Sequence, residues 1–263
     1  MSKELLKKIT TSLSWDDLVL QNETLKQIND ILTWLKIKPL IHNSFSEGIK
    51  KNKGYRVLFY GPPGTGKKIT ASLIGKMADK EVYTPDLFAI VSKYIGETEK
   101  NLAEILYKAQ KENWILFFDE ADALFGKRTE VRDAHDKNTN QEIAYLLQRV
   151  EEYEGLLIFA TNIKNNIDNA FIRRFQSIIH FHPPGPEERL VLWQKAFNSK
   201  DTLAKEVNMK AIADKYEITG KEIQEIAKRC KSQIKGIGKI NNYHITKGIE
   251  VVYKLSGRKI PVR

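Results

Sequence analysis

The chain has 263 residues, with 43 Lys and Arg against 33 Asp and Glu for a net charge of +10, and 41% of its residues are hydrophobic. That composition fills a real core and excludes disorder as the main state, and the length suits one large domain or a domain with a lobe. A single cysteine, Cys230, excludes an intrachain disulfide and points to no cysteine-based metal site.

Residues 1–54 are read as a helical segment leading into a core. The opening MSKELLKKITTSLSW lacks the apolar centre of a signal peptide, which with the cysteine usage predicts a cytoplasmic protein. An apolar-periodic helix is expected around Leu25–Leu35. From residue 55 to 182, short apolar runs alternate with helical patterns, the signature of a parallel sheet wrapped by helices. Strands are predicted at Arg56–Tyr60, within Glu81–Val91, and at Trp114–Phe118, Gly155–Ala160 and Ser177–Phe181. Helices are predicted at Lys67–Ala78, Glu97–Lys111 and Asn138–Tyr153. The longest apolar runs, Ile115–Phe118 and Leu156–Ala160, are too short to span a bilayer, so no membrane partner is expected. The Pro183-Pro184-Gly185-Pro186 cluster ends this regime. Beyond it, helical patterns at Glu187–Phe197, Met209–Lys215, Lys221–Ser232 and His244–Leu255 predict a small lobe, giving an α/β domain over 55–184 and a helical one over 185–263.

Charge is concentrated in that lobe: residues 221–263 hold 11 Lys and Arg against 3 Glu. A surface for nucleic acid or an acidic partner is one reading. A solvated helix face meeting an acidic neighbouring subunit is the other. No aromatic platform or reader helix accompanies the lysines, so nucleic acid is not expected as a partner.

Gly61-Pro62-Pro63-Gly64-Thr65-Gly66-Lys67-Lys68 follows a predicted strand and opens a predicted helix, the context a phosphate-binding loop requires. The glycines let successive N–H groups turn toward one anion, the helix presents its positive end, and Lys67 places a cation on the β and γ phosphates. Ile69 follows among the expected nucleotide contacts. One position breaks the pattern, because Lys68 stands where a Ser or Thr hydroxyl is needed for Mg²⁺. An ammonium cannot coordinate a metal, and two like unit charges about 4 Å apart at an effective dielectric near 20 repel by roughly 4 kcal/mol. Thr70 is no substitute, since two residues along a helix its side chain points about 200° away. Two readings stay open: Lys68 turns outward and water completes the metal shell with reduced activity, or the lysine replaces part of the metal's charge and the site binds nucleotide without hydrolysing it well.

The run Ile115–Phe118 ends in Asp119-Glu120. Strand ends of open α/β sheets are where ligands sit. Asp119 would hold the Mg²⁺ shell and Glu120 would orient and deprotonate the attacking water; an acidic helix cap is the plainer alternative. The next strand ends in Thr161-Asn162, whose amide suits the γ-phosphate or the water. Further on, Arg173-Arg174 suits a phosphate on a neighbouring subunit, a contribution that can be worth about 10³ to 10⁵ in turnover; an ordinary surface arginine pair is the plainer alternative.

In order, GPPGTGK (61–67), FFDEAD (117–122), ATN (160–162), IDNAFIRRF (167–175) and ITGKEI (218–223) resemble the AAA ATPase family over the chain from about Trp15 onward. The resemblance implies a P-loop αβα sandwich with a parallel five-stranded sheet in the order 5-1-4-3-2, a C-terminal helical lid and a hexameric ring that uses ATP and Mg²⁺. It makes Asn162 the polar sensor and Arg173 and Arg174 the arginine fingers. Trp15–Val19 is similar to the segment that touches the adenine, with Asp17 among its contacts and Val19 where a glycine is usual, and Gly220 matches the lid position near the base and ribose. Lys93–Glu97 resembles a central-pore loop in which Tyr94, followed by Ile95, grips polypeptide; Tyr94 as a packing residue is the alternative. The charged segment Gly126–Lys137 fits a second pore loop. The wording of VSKYIGETEKNL, WILFFDEADALFGKRTEVRDAHDK and FIRRFQSIIHF is also similar to bacterial AAA ATPases encoded beside phage-tail-like contractile injection systems. The expected function is therefore an ATP-hydrolysing ring that remodels or disassembles a protein complex, with a nucleotide-binding assembly module as the alternative and a DNA-acting ATPase as a third reading.

Overall fold

The computed structural model describes residues 5–44, 54–86, 97–122, 148–197, 203–234 and 238–261. The chain divides into two compact units, one of Met1–Trp15, Gln21–Gly61 and Lys67–Phe181, the other of Asp16–Leu20, Pro62–Gly66 and His182–Arg263.

The first unit is a six-stranded sheet with helices. Its strands are β1 (Leu6–Ile9), β2 (Tyr55–Tyr60), β3 (Val82–Pro85), β4 (Ile115–Phe118), β5 (Leu156–Thr161) and β6 (Ser177–His180), and their spatial order is β1-β3-β4-β5-β2-β6. The five strands from β2 to β6 run parallel, and β1 pairs antiparallel with β3 at the edge. The sheet thus differs from the expected five strands by this sixth one. β1 lies in a segment read as helical, and its pattern explains why: Lys7 and Lys8 are exposed between half-buried Leu6 and Ile9, so four residues carry no period-2 alternation. An edge strand with lysines on its surface is pinned instead by tertiary partners, here the pairing with β3 and the Lys8–Glu81 ion pair.

The central strands read as continuous apolar runs because a parallel sheet is covered on both faces. Every residue of β4 and β5 is buried, as are the inner four of β2. The helices of this unit are α1 (Asn22–Ser44), α2 (Lys67–Met77), α3 (Glu97–Lys111) and the single turn α4 (Asn169–Ile172); residues 148–152 are helical as well. α3 turns Leu102, Ile105, Leu106 and Ala109 onto Leu116, Phe118, Leu157 and Phe159. Phe159 stacks on Phe118 at 4.8 Å and meets Phe171 edge-on at 5.2 Å, tying α4 to the sheet.

The second unit is built from α5 (Pro186–Ala196), α6 (Met209–Lys215), α7 (Gly220–Gln233) and α8 (Asn242–Leu255). Trp193, Ile223, Ile226, Cys230, Ile245 and Ile249 form its core. Thr219 opens α7 with a reciprocal cap: its hydroxyl accepts from the Glu222 amide while the Glu222 carboxylate accepts from the Thr219 amide at 2.7 Å. Among the described residues no helix is long and apolar enough to cross a membrane.

Candidate functional site

Within the first unit, β2 delivers the chain to Gly61, whose φ of +142° is open to glycine. A Cβ there would lie 2.1 Å from the carbonyl oxygen of Phe181, so only glycine lets the loop leave the sheet at this point. The loop is held to the strand ends by Gly61 N–H donating to Thr161 O at 3.2 Å and Phe181 N–H donating to Tyr60 O at 2.7 Å.

α2 starts at Lys67, and the two lysines of its first turn differ sharply. Lys67 is 8% exposed; its Nζ donates to Gly61 O at 2.5 Å and to Asn162 Oδ1 at 3.2 Å. Burial pulls this ammonium below the usual lysine range, and the Asp119 charge works the other way. Lys68 is exposed. Ile69 is half-buried, and Thr70 is fully buried with a hydroxyl that has no hydrogen-bond partner.

At the end of β4, Asp119 is half-buried and Glu120 exposed, with Glu120 at a φ of +53°. A non-glycine residue in that region costs on the order of 1–3 kcal/mol and is kept only where its surroundings dictate it. Here Ala121 N–H donates to Ala160 O at 2.8 Å, Thr161 Oγ1 donates to Asp122 at 2.9 Å, and Glu120 N–H donates to Asp119 Oδ1 at 3.2 Å. These bonds fix the chain on either side of Glu120 and leave its carboxylate in solvent. Lys67, Asp119 and Asn162 are brought together.

Arg173 and Arg174 occupy a different turn, after α4, and they are not equivalent. Arg174 forms an ion pair with Glu151, whereas Arg173 is exposed and has no side-chain partner among the described residues. The turn is organised by Arg56, a buried residue of β2 that sequence reasoning missed. Its guanidinium donates to the carbonyls of Arg174 (3.2 Å), Val150 (3.3 Å) and Glu151 (3.2 Å). The signal was present, since a charge inside YRVLFY is out of place unless it satisfies buried carbonyls.

Within the second unit, Gly64 has φ +80° and a Cβ on it would come 2.7 Å from the Thr219 hydroxyl. The Lys221 amide donates to Gly64 O at 3.4 Å, so the loop residues 62–66 are joined to the start of α7, where Gly220 lies. Thr65 Oγ1 donates to Pro62 O at 2.8 Å, closing the loop's own turn, and Pro63 is exposed. Asp17 ends a 3-10 turn, Trp15–Asp17, and half-buried Val19 packs on the core of this unit. Tyr94, Ile95 and the segment Gly126–Lys137 lie outside the described residues.

Within the first unit, Gly61 with its positive φ, a buried lysine at the head of a helix and a carboxylate at the neighbouring strand end fit the polyphosphate of a nucleotide. They fit Mg²⁺ in part: Asp119 is present, and the position that would supply a hydroxyl holds Lys68. Residues 57–183 match the sequence profile of the ATPase family associated with various cellular activities (AAA). This segment is an AAA ATPase domain. The chain is similar to the cell division cycle protein 48 homolog of Archaeoglobus fulgidus, 28% identical over 83% of this chain and 30% of that protein. It is also similar to vacuolar protein sorting-associated protein 4 of Dictyostelium discoideum (28% identical, 82% and 49%) and to the peroxisomal ATPase PEX6 of Kluyveromyces lactis (30% identical, 83% and 21%). The chain therefore spans half or less of the length of these curated relatives.

Proposed function

We propose that this chain binds ATP, hydrolyses it, and works as a homo-oligomeric ring that remodels or disassembles a protein complex. The observation that carries the reading is Lys67: burial costs this ammonium, held beside Asn162, more than the Asp119 charge returns, and a bound anion would offset the difference. In this reading Lys67 holds the β and γ phosphates, Asn162 orients the terminal phosphate or the water, Glu120 takes the proton of the attacking water, and Arg173 reaches a neighbouring subunit's nucleotide. Asp119 would hold Mg²⁺, which when bound supplies charge neutralisation on the transferring phosphoryl group. The likeness to proteins named for cell division, vacuolar sorting and peroxisomes supports a polypeptide substrate gripped by Tyr94. The segment wording quoted above supports a contractile, phage-tail-like particle as the complex acted on.

One observation favours a second reading, an assembly module that binds nucleotide and turns it over little. Lys68 holds the metal-hydroxyl position, and its exposure leaves the ammonium hydrated there. Phosphate release measured against Mg²⁺ and against chain concentration, with Lys68→Thr alongside, separates the two. Turnover that rises with both supports the ring ATPase; nucleotide binding without turnover, restored by Lys68→Thr, supports the assembly module.

A further inference from the structure

The helix pair α7–α8 in the second unit leaves a groove that the nucleotide chemistry does not use. Its volume is about 710 Å³, and Arg229, Tyr243, Lys247, Glu250, Val251 and Lys254 line it. α8 buries Ile245, Gly248, Ile249, Val252 and Tyr253 on its inner side. On its outer side Tyr243, Lys247, Val251 and Leu255 follow at intervals of four, which on a helix makes one stripe. A face meant only for water carries polar residues there. Here Tyr243 is 65% exposed, Val251 37% and Leu255 75%.

The charges beside the stripe are uncompensated. Glu250, the groove's acidic wall, is taken by Lys247 at 2.9 Å, and Lys247 also sits 5.9 Å from the Tyr243 ring. Arg229 and Lys254 have no ion-pair partner among the described residues. A helical occupant with aliphatic side chains along one face and carboxylates flanking them answers both features at once, because apolar contact supplies affinity and opposite charge supplies encounter and register. A nucleic-acid backbone leaves Tyr243, Val251 and Leu255 without an apolar partner, and a flat lipid surface does not enter a concave groove. We propose that this groove docks an acidic amphipathic helix of a partner protein, with its apolar face on Tyr243 and Val251 and its carboxylates on Arg229 and Lys254.

The test is fluorescence anisotropy with the full chain and a labelled peptide of roughly 15 residues, long enough to form a marginal helix, carrying leucines on one helical face and glutamates elsewhere. Saturable binding is expected, weakened by about tenfold or more in the Arg229→Glu, Lys254→Glu double variant and in Val251→Asp, and unmoved by Lys259→Glu outside the groove. A peptide of the same composition with its leucines scrambled off the face should bind at least about tenfold more weakly. The proposal is overturned by absence of binding at low salt, or by binding that ignores the groove variants. It is equally overturned if the scrambled peptide, a single-stranded oligonucleotide or phosphatidylserine vesicles bind as tightly, for then the lysines act as a plain basic surface. Arg229→Gln with Lys254→Gln repeats the charge test if a reversed variant melts early. Phosphate release on the same preparations keeps this result separate from the ATPase reading, since neither measurement depends on the other.

Discussion

Lys67 and Lys68 are consecutive residues of one helical turn, and their surroundings assign them opposite tasks. Lys67 is buried against Gly61 O and Asn162, so Lys67→Ala is expected to remove ATP binding outright, read by equilibrium titration with a fluorescent nucleotide. Its burial makes a fold check necessary; an unchanged thermal melt ties the loss to the phosphates. Glu120 sits in a strained backbone with its side chain exposed, and Glu120→Gln keeps that shape while losing the base. Binding should survive while turnover falls by about 10² to 10⁴, the range general-base catalysis supplies. Equal loss of binding and turnover would remove Glu120 from the base role. These positions were legible in the sequence because each chemistry demands a residue type at a fixed place on a strand–loop–helix unit. The departure at Lys68 was legible for the same reason. The inequality of Arg173 and Arg174 was not, because it depends on Glu151, a residue brought near by folding.

At the scale of elements, apolar runs revealed the five parallel strands, since strands covered on both faces need no period to be seen. β1 escaped notice because an edge strand of four residues draws its stability from pairing with β3, which its own sequence does not reveal. Arg56 escaped notice because its partners, the carbonyls of Val150, Glu151 and Arg174, lie about a hundred residues away. Arg56→Met leaves those carbonyls short of donors, at about 1–3 kcal/mol for each buried unsatisfied group. The expected result is a lowered melting temperature and turnover reduced through a displaced arginine turn, with ATP affinity nearly unchanged. The helical unit has its own reporter in Cys230, whose thiol burial pushes up to about 11 from an ordinary value near 9. The unfolded thiol ionises first as pH rises, so the folded state keeps its proton through that window. Stability present below pH 9 is then lost as pH climbs toward 11. Because the thiolate is the reactive form, iodoacetamide at pH about 8 should label Cys230 only as fast as α7 and α8 open, and rapidly in denaturant. Fast labelling of the native chain would contradict the burial.

At the scale of the whole molecule, the proposed ring makes one site draw on two copies of the chain. Arg173 is exposed, carries no side-chain partner among the described residues, and sits in a turn after α4 where the Arg56 guanidinium donates to the carbonyl of Arg174. In the proposed ring, this guanidinium would act on the nucleotide of a neighbouring copy. A head-to-tail ring would then present Arg173 of each copy to the nucleotide of the next. Arg173→Ala and Glu120→Gln should each cut turnover by about 10² or more alone, and for different reasons: one copy keeps a working base without a finger, the other a working finger without a base. Mixed in equal amounts, a Glu120→Gln copy can offer Arg173 to an Arg173→Ala copy whose Glu120 is intact. With random order around a ring, about a quarter of all sites regain both groups. Recovered phosphate release near that share of wild type, absent from either variant alone and lost on dilution, is the expected outcome. If the mixture stays as inactive as its components under conditions where the copies demonstrably exchange, Arg173 does not act across a subunit boundary and the ring reading loses its chemical basis.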